Sequence, residues 1–115
     1  MKLSEAMLKG SADVVQIDDC YLRPDGKHAC ALGAAYLGFG GRRYPRAFEA
    51  SFEFQDQIRD DLRGRFPVLD RFVADLKITA STQYPSRQRL MDWIVHHNYN
   101  RRIQVIARYL RMRGL

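Results

Sequence analysis

Cysteine and histidine are the residues of this chain that could carry out covalent chemistry. Cys30 lies two residues after His28, at the start of a run of small residues that favours a helix. A helix N-terminus lowers the pKa of a thiol and a histidine can accept its proton, so a thiol nucleophile is one interpretation, with His96 or His97 as a second source of base. The alternative is that Cys30 packs in the core as a small apolar residue. We favour this alternative, because the sequence shows neither a glycine-rich oxyanion loop nor an acid that would orient a histidine.

The same residues also contain nitrogen and sulfur ligands of the kind that zinc prefers. The set would be Cys20, His28 and Cys30 with His96 or His97. Its spacing matches no zinc module, so we predict no metal and no other cofactor. We expect the two cysteines to be free thiols, as in a reducing compartment.

The charge of the chain is concentrated near its end. The net charge is +6, yet residues 1–84 carry equal numbers of basic and acidic side chains. Residues 85–115 contain seven arginines, no lysine and a single acid, Asp92. Arginine binds carboxylate and phosphate groups in a two-pronged geometry, so this end of the chain is suited to an acidic partner.

Two helices near the end, joined by a short connection, resemble a helix-turn-helix in outline. Tyr99 and Tyr109 could stack on bases, and a nucleic-acid partner is therefore one alternative. Against it, the connection has no glycine and the first helix lacks the expected small residue. An acidic protein surface and a merely solvated helix face are the other interpretations. The candidate partner-binding residues at this end are Arg101, Arg102, Gln104, Arg108 and Arg111.

A second basic segment is the glycine-rich loop 38–46. Its glycines, with Arg42, Arg43 and Arg46, could hold a phosphate through backbone N–H groups and guanidinium groups. It lacks the lysine and hydroxyl residue of a phosphate-binding P-loop. A plain connection is the favoured interpretation, although we include Arg42 and Arg43 among the candidate partner-binding residues.

The elements that must position these residues are mainly helical. Residues 13–22 suit a short strand and residues 23–26 a turn. Residues 47–63 fit a helix, although the alternation of residues 48, 50, 52 and 54 also fits a strand. Trp93 is expected to flank the core, or else to be an exposed anchor for a partner. The predicted helices are 3–9, with Ser4 as N-cap and Gly10 at its end, 29–37, stopped at Gly38, 47–63, 67–76, 86–97 and 101–113, with Asn100 as N-cap. The small residues of helix 29–37 would let it approach a neighbouring helix closely. The inward residues predicted for the last helix are Ile103, Ile106, Ala107 and Leu110.

Three short segments resemble a group of uncharacterised bacterial and prophage proteins. These are M-K-L-S-E-A (1–6), C-A-L-G-A-A (30–35) and W-I-x-x-x-N (93–98), followed by a capped helix. The chain differs from that group at 97–99, where it has His-Asn-Tyr, and it lacks a C-x-x-C pair. The resemblance implies no activity, but it favours a setting in mobile elements.

The length and composition of the chain indicate its fold class and number of domains. The 115 residues, 28% of them charged, suit one globular domain. We therefore predict a single mainly α domain (1–115) of five or six short helices with at most one small β element. No segment has the length of a signal peptide or a membrane span, so we expect a cytoplasmic protein without membrane contact. Its predicted role is a non-enzymatic module that docks an arginine-rich surface on an acidic partner, such as a host nucleic-acid-binding or defence protein.

Overall fold

The architecture is mainly helical, as predicted, with one very small sheet. The computed structural model describes residues 1–42, 52–79 and 87–115. Two-residue strands, β1 (Val15–Gln16) and β2 (His28–Ala29), pair in parallel. The described α-helices are α1 (Leu3–Ser11), α2 (Ala31–Gly38), α3 (Phe52–Arg65), α4 (Leu90–Asn98) and α5 (Ile103–Met112).

Helices α1 and α2 are packed backbone against backbone. A Cβ atom built on Gly10 would lie 1.7 Å from the carbonyl oxygen of Ala34, and one on Gly38 would lie 1.6 Å from that of Ala6. Residues four apart share a helix face, so these two contacts align the helices in opposite directions. The close approach of α2 is as predicted. The prediction that Gly10 ends α1 is wrong, because Gly10 lies inside that helix at its contact with α2, whereas α2 does end at Gly38 as predicted.

The start of α1 also differs from the prediction. Ser4 is not the N-cap but the second residue of the helix, and Lys2 occupies the cap position. The Ser4 side chain is buried, and its hydroxyl finds no hydrogen-bond partner among the described residues. The structure gives no physical account of that unpaired hydroxyl.

The middle of the chain is less helical than expected. Helix α3 covers the described part of the predicted helix 47–63, so the strand alternative does not hold from Phe52 onward. After α3, Pro67 begins only a 3-10 helix, Pro67–Asp70. The backbone N–H of Val73 then donates to Gln88 and that of Leu90 to Arg71, both at 2.9 Å. The predicted helix 67–76 is therefore wrong beyond Asp70, since this backbone pairs with a distant segment.

Helix α5 packs on α1 with the predicted residues. Ile103, Ile106, Ala107 and Leu110 are buried, and Gly114 ends the helix in a left-handed conformation with φ of 77°. The N–H of Ser4 donates to the carbonyl of Leu115, so α5 ends where α1 begins. None of the described helices combines the length and the apolar character needed to cross a bilayer.

Candidate functional site

A polar junction fixes the chain where α4 passes into α5. Asn98, at the end of α4, donates from Nδ2 to the carbonyl of Ile17 at 2.7 Å. Its Oδ1 accepts the backbone N–H of Ala31, the first residue of α2, at 2.9 Å. Gln16 donates to the carbonyl of Arg101 at 2.6 Å and accepts the N–H of Ile103 at 2.9 Å. Gln16 therefore caps α5 in place of Asn100, whose predicted capping role is wrong because Arg102 occupies the cap position.

The predicted binding residues of this region are exposed on α5 and on the segment that leads into it. The junction holds the backbone of Arg101, while the side chains of Arg101 and Arg102 reach solvent. Gln104, Arg108 and Arg111 follow at intervals of four and three residues, which places them on one helix face. Gln104 also donates to the hydroxyl of Ser11 at 3.4 Å, so this face borders α1. We call the following set the basic surface: Arg101, Arg102, Gln104, Arg108 and Arg111.

The arginines of the basic surface are not neutralised by the described part of the protein. Three arginines elsewhere contact acids, among them Arg23, which lies 3.2 Å from Asp19, and Arg63, which lies 2.9 Å from Asp70. Arg59 contacts two aspartates at 3.4 Å. Every ion pair within residues 1–42, 52–79 and 87–115 lies between positions 19 and 70, and none involves the basic surface.

Arg42, the other described candidate, lies away from Arg101 and Arg102. It is exposed and follows α2, whose last residue Gly38 contacts α1 near its start. This is the end of the molecule at which α5 finishes, whereas Arg101 and Arg102 lie at the end where α5 begins. Arg43 and Arg46 lie outside the described residues, so the predicted loop site is represented only by Arg42.

A groove between α4 and α5 adjoins the basic surface, and we call it the α4–α5 groove. Its volume is about 420 Å³. The Trp93 ring stacks on Tyr109, with centroids 5.3 Å apart, and contacts His97 at 4.3 Å. Burial lowers the pKa of His97, and the nearby His96 and Arg101 lower it further. The groove is lined by Thr79, Trp93, His97, Arg101, Val105, Ile106 and Tyr109.

Sequence reasoning missed this groove. Trp93 is only 4% exposed, in agreement with the interpretation as a core residue, but part of its surface lines the groove. The available signal was the presence of a tryptophan, a histidine and a tyrosine on consecutive helices. Their meeting depends on how α4 and α5 cross, which periodicity does not give.

The geometry of Cys30 is that of a structural thiol. Its side chain is buried and accepts the N–H of Gly33 at 3.4 Å, which makes it the N-cap of α2. Burial raises the pKa of Cys30 to about 11, so the thiol is neutral at pH 7 and a weak nucleophile. His28 instead contacts Asp25 at 2.6 Å, an acid–histidine pair that the sequence did not reveal.

The zinc interpretation gains no support from the arrangement. Cys20 and Cys30 are both free thiols. Within the described ranges, no three histidine, cysteine or acidic side chains are grouped closely enough to hold a metal ion.

A comparison of the chain with protein-family models, with curated proteins and with solved structures finds no match.

Proposed function

We propose that this protein is a non-enzymatic interaction module that docks its basic surface on an acidic partner protein. The observation that carries the proposal is the contrast between paired and unpaired arginines. Arg23, Arg59 and Arg63 contact carboxylates of the same chain, whereas the exposed arginines of α5 and its approach have no acid within ion-pair distance among the described residues. A complementary acidic surface would supply those acids and would also steer the encounter.

A protein partner is favoured over a nucleic acid by the apolar groups beside the arginines. Val105 and Met112, on the exposed side of α5, are 45% and 78% exposed. Methionine and aromatic residues are enriched at protein interfaces, whereas phosphate backbones offer apolar side chains little to contact. Tyr109, a candidate for base stacking, is already stacked on Trp93 and lies beneath the guanidinium of Arg113.

The packing of α5 also departs from the helix-turn-helix outline. α5 packs chiefly on α1 and less extensively on α4. In a helix-turn-helix the second helix forms a compact unit with the first and projects into the major groove.

The resemblance to prophage proteins adds a setting to the proposal, in which the acidic partner would be a regulatory or defence protein of a bacterial host.

The test compares two double variants that remove the same charge. Arg108→Gln with Arg111→Gln removes two arginines that have no ion pair with a described acid, and Arg59→Gln with Arg63→Gln removes two that contact aspartates. Poly-glutamate is the acidic probe, titrated against each protein at several salt concentrations. We expect the first variant to weaken binding about fivefold and the second to change it little, because the paired arginines already have local partners.

Two results would contradict the proposal. Equal weakening by both double variants would mean that net charge, rather than the basic surface, determines binding. Tighter binding of duplex DNA than of poly-glutamate, with a steep loss of affinity as salt rises, would support a nucleic-acid partner instead.

A further inference from the structure

The α4–α5 groove differs from the basic surface in its chemistry. Its walls and floor are the side chains of Trp93, Val105, Ile106 and Tyr109, and its polar groups are few. A volume of about 420 Å³ falls within the range of sites that enclose a ligand group. Trp93 lines the groove and is held by the hydrogen bond of its Nε1 to the carbonyl of Thr79, at 3.2 Å.

The charge at the rim indicates what could occupy the groove. Among the described residues that line the groove, Arg101 is the one that is charged at neutral pH, since the pKa of His97 is lowered, and none is an acid. Arg101 belongs also to the basic surface, so the groove and that surface are continuous. An occupant would have to be apolar where it meets Trp93 and acidic where it meets Arg101.

We propose that the α4–α5 groove receives an aromatic or large aliphatic side chain from an acidic segment of the partner protein. In this arrangement the anchor packs on Trp93 and Tyr109 and a neighbouring carboxylate binds Arg101. The inference rests on the proposed function and deepens it by naming the kind of segment that is bound. It follows the general pattern of interfaces in which a buried anchor is surrounded by charged contacts.

Trp93 makes the inference measurable because it is the only tryptophan in the chain. The probes are heptapeptides without tryptophan or tyrosine. One has a central phenylalanine with three glutamates on each side, the second has alanine at the centre, and the third has phenylalanine between lysines. We expect the first peptide to change Trp93 emission saturably and to bind about tenfold more tightly than the second, because the phenylalanine ring is removed from water when it enters the groove.

Two variants with the same charge change locate the binding site. Val105→Glu places a carboxylate in the groove wall, whereas Met112→Glu places one on an exposed position of α5 that does not line the groove. The first should abolish the preference for phenylalanine over alanine, and the second should preserve it. Circular dichroism of both variants verifies that α5 is still formed.

The outcomes separate this inference from the proposed function. Equal binding of the phenylalanine and alanine peptides, with both still weakened by Arg108→Gln and Arg111→Gln, overturns the groove inference and leaves the basic surface standing. Peptide binding that is unchanged by Arg108→Gln and Arg111→Gln overturns the proposed function. Equal binding of the lysine-flanked peptide overturns the acidic occupant, and Trp93 emission that changes with protein concentration alone would indicate a second copy of this chain instead.

Discussion

Two of the described helix pairs, α1–α2 and α4–α5, are packed in opposite ways. In the pair α1–α2, Ala6 and Gly10 face Ala34 and Gly38, and main-chain atoms touch with no side chain between them. In the pair α4–α5, the rings of Trp93 and Tyr109 lie at the crossing and the helices leave a groove beside them. The small residues between α1 and α2 leave no space for a ligand, whereas the large rings between α4 and α5 keep those helices apart and leave a groove. The first pair holds the fold together and the second presents the candidate site.

The sharpest way to break the first pair is a single methyl group. Gly10→Ala would place a Cβ at 1.7 Å from the carbonyl oxygen of Ala34, so the two helices must move apart. We expect the free energy of unfolding to fall by about 3 kcal/mol or more, measured by urea denaturation. Gly64→Ala is the matched control, because its Cβ would meet nothing within 4 Å and alanine should add about 0.5–1 kcal/mol. Similar values for the two variants would contradict the close packing of α1 on α2.

Asn98 connects the two pairs, and its removal should have the next largest effect. Asn98→Ala leaves the N–H of Ala31 and the carbonyl of Ile17 without their side-chain partner. Unpaired buried groups cost about 1–3 kcal/mol, so we expect a loss of about 2 kcal/mol in thermal or urea unfolding. Asn100→Ala, at an exposed position, should stay within about 0.5 kcal/mol. A comparable loss in both would show that the junction is not a particular source of stability.

The groove side of α5 should tolerate change that the α1–α2 contact does not. Val105 is 45% exposed and lies in the first turn of α5, where a glutamate interacts favourably with the helix dipole. We expect Val105→Glu to change the free energy of unfolding by no more than about 0.5 kcal/mol. A loss as large as that of Gly10→Ala would mean that the groove wall is part of the core.

The smallest expected effect is a dependence of stability on pH. The pKa of His97 is below its usual 6.5 in the folded protein. At pH values between the folded-state pKa and 6.5, the unfolded chain therefore binds more protons than the folded protein. Protonation of His97 therefore favours unfolding, and the free energy of unfolding decreases as pH falls below 6.5. Wild type and His97→Gln, compared by urea unfolding at pH values above and below 6.5, should diverge only on the acidic side. Parallel curves at all pH values would contradict the shifted pKa.

Local sequence signals predicted the helices whose pattern and packing agree. α5 was predicted with its buried residues because Ile103, Ile106 and Leu110 recur with the helical period and nothing competes with them. The segment 71–76 has a similar pattern, yet Arg71 and Val73 bond to residues near position 89. A single sequence contains no signal for such a distant pairing, so tertiary structure overrides the local preference.

The candidate site was only partly accessible to sequence reasoning. The excess of arginine after position 85 could be counted, and the spacing of Arg108 and Arg111 on one face followed from helix geometry. That no acid of the described segments pairs with these arginines depends on where the aspartates of distant segments lie. The groove depends on a contact between Trp93 and Tyr109, sixteen positions apart, and on the angle at which their helices meet.

The hydrogen bond from Ala31 to Asn98 has a consequence for the segments C-A-L-G-A-A and W-I-x-x-x-N. The Oδ1 of Asn98, the last residue of one segment, accepts a hydrogen bond from the backbone N–H of Ala31, the second residue of the other. The two segments therefore form a single structural unit although 57 residues lie between them. A chain that retains both would retain this frame while its outward side chains on the final helix change freely. The two segments would then provide the scaffold. The choice of partner would depend on the outward side chains of α5, which neither segment includes.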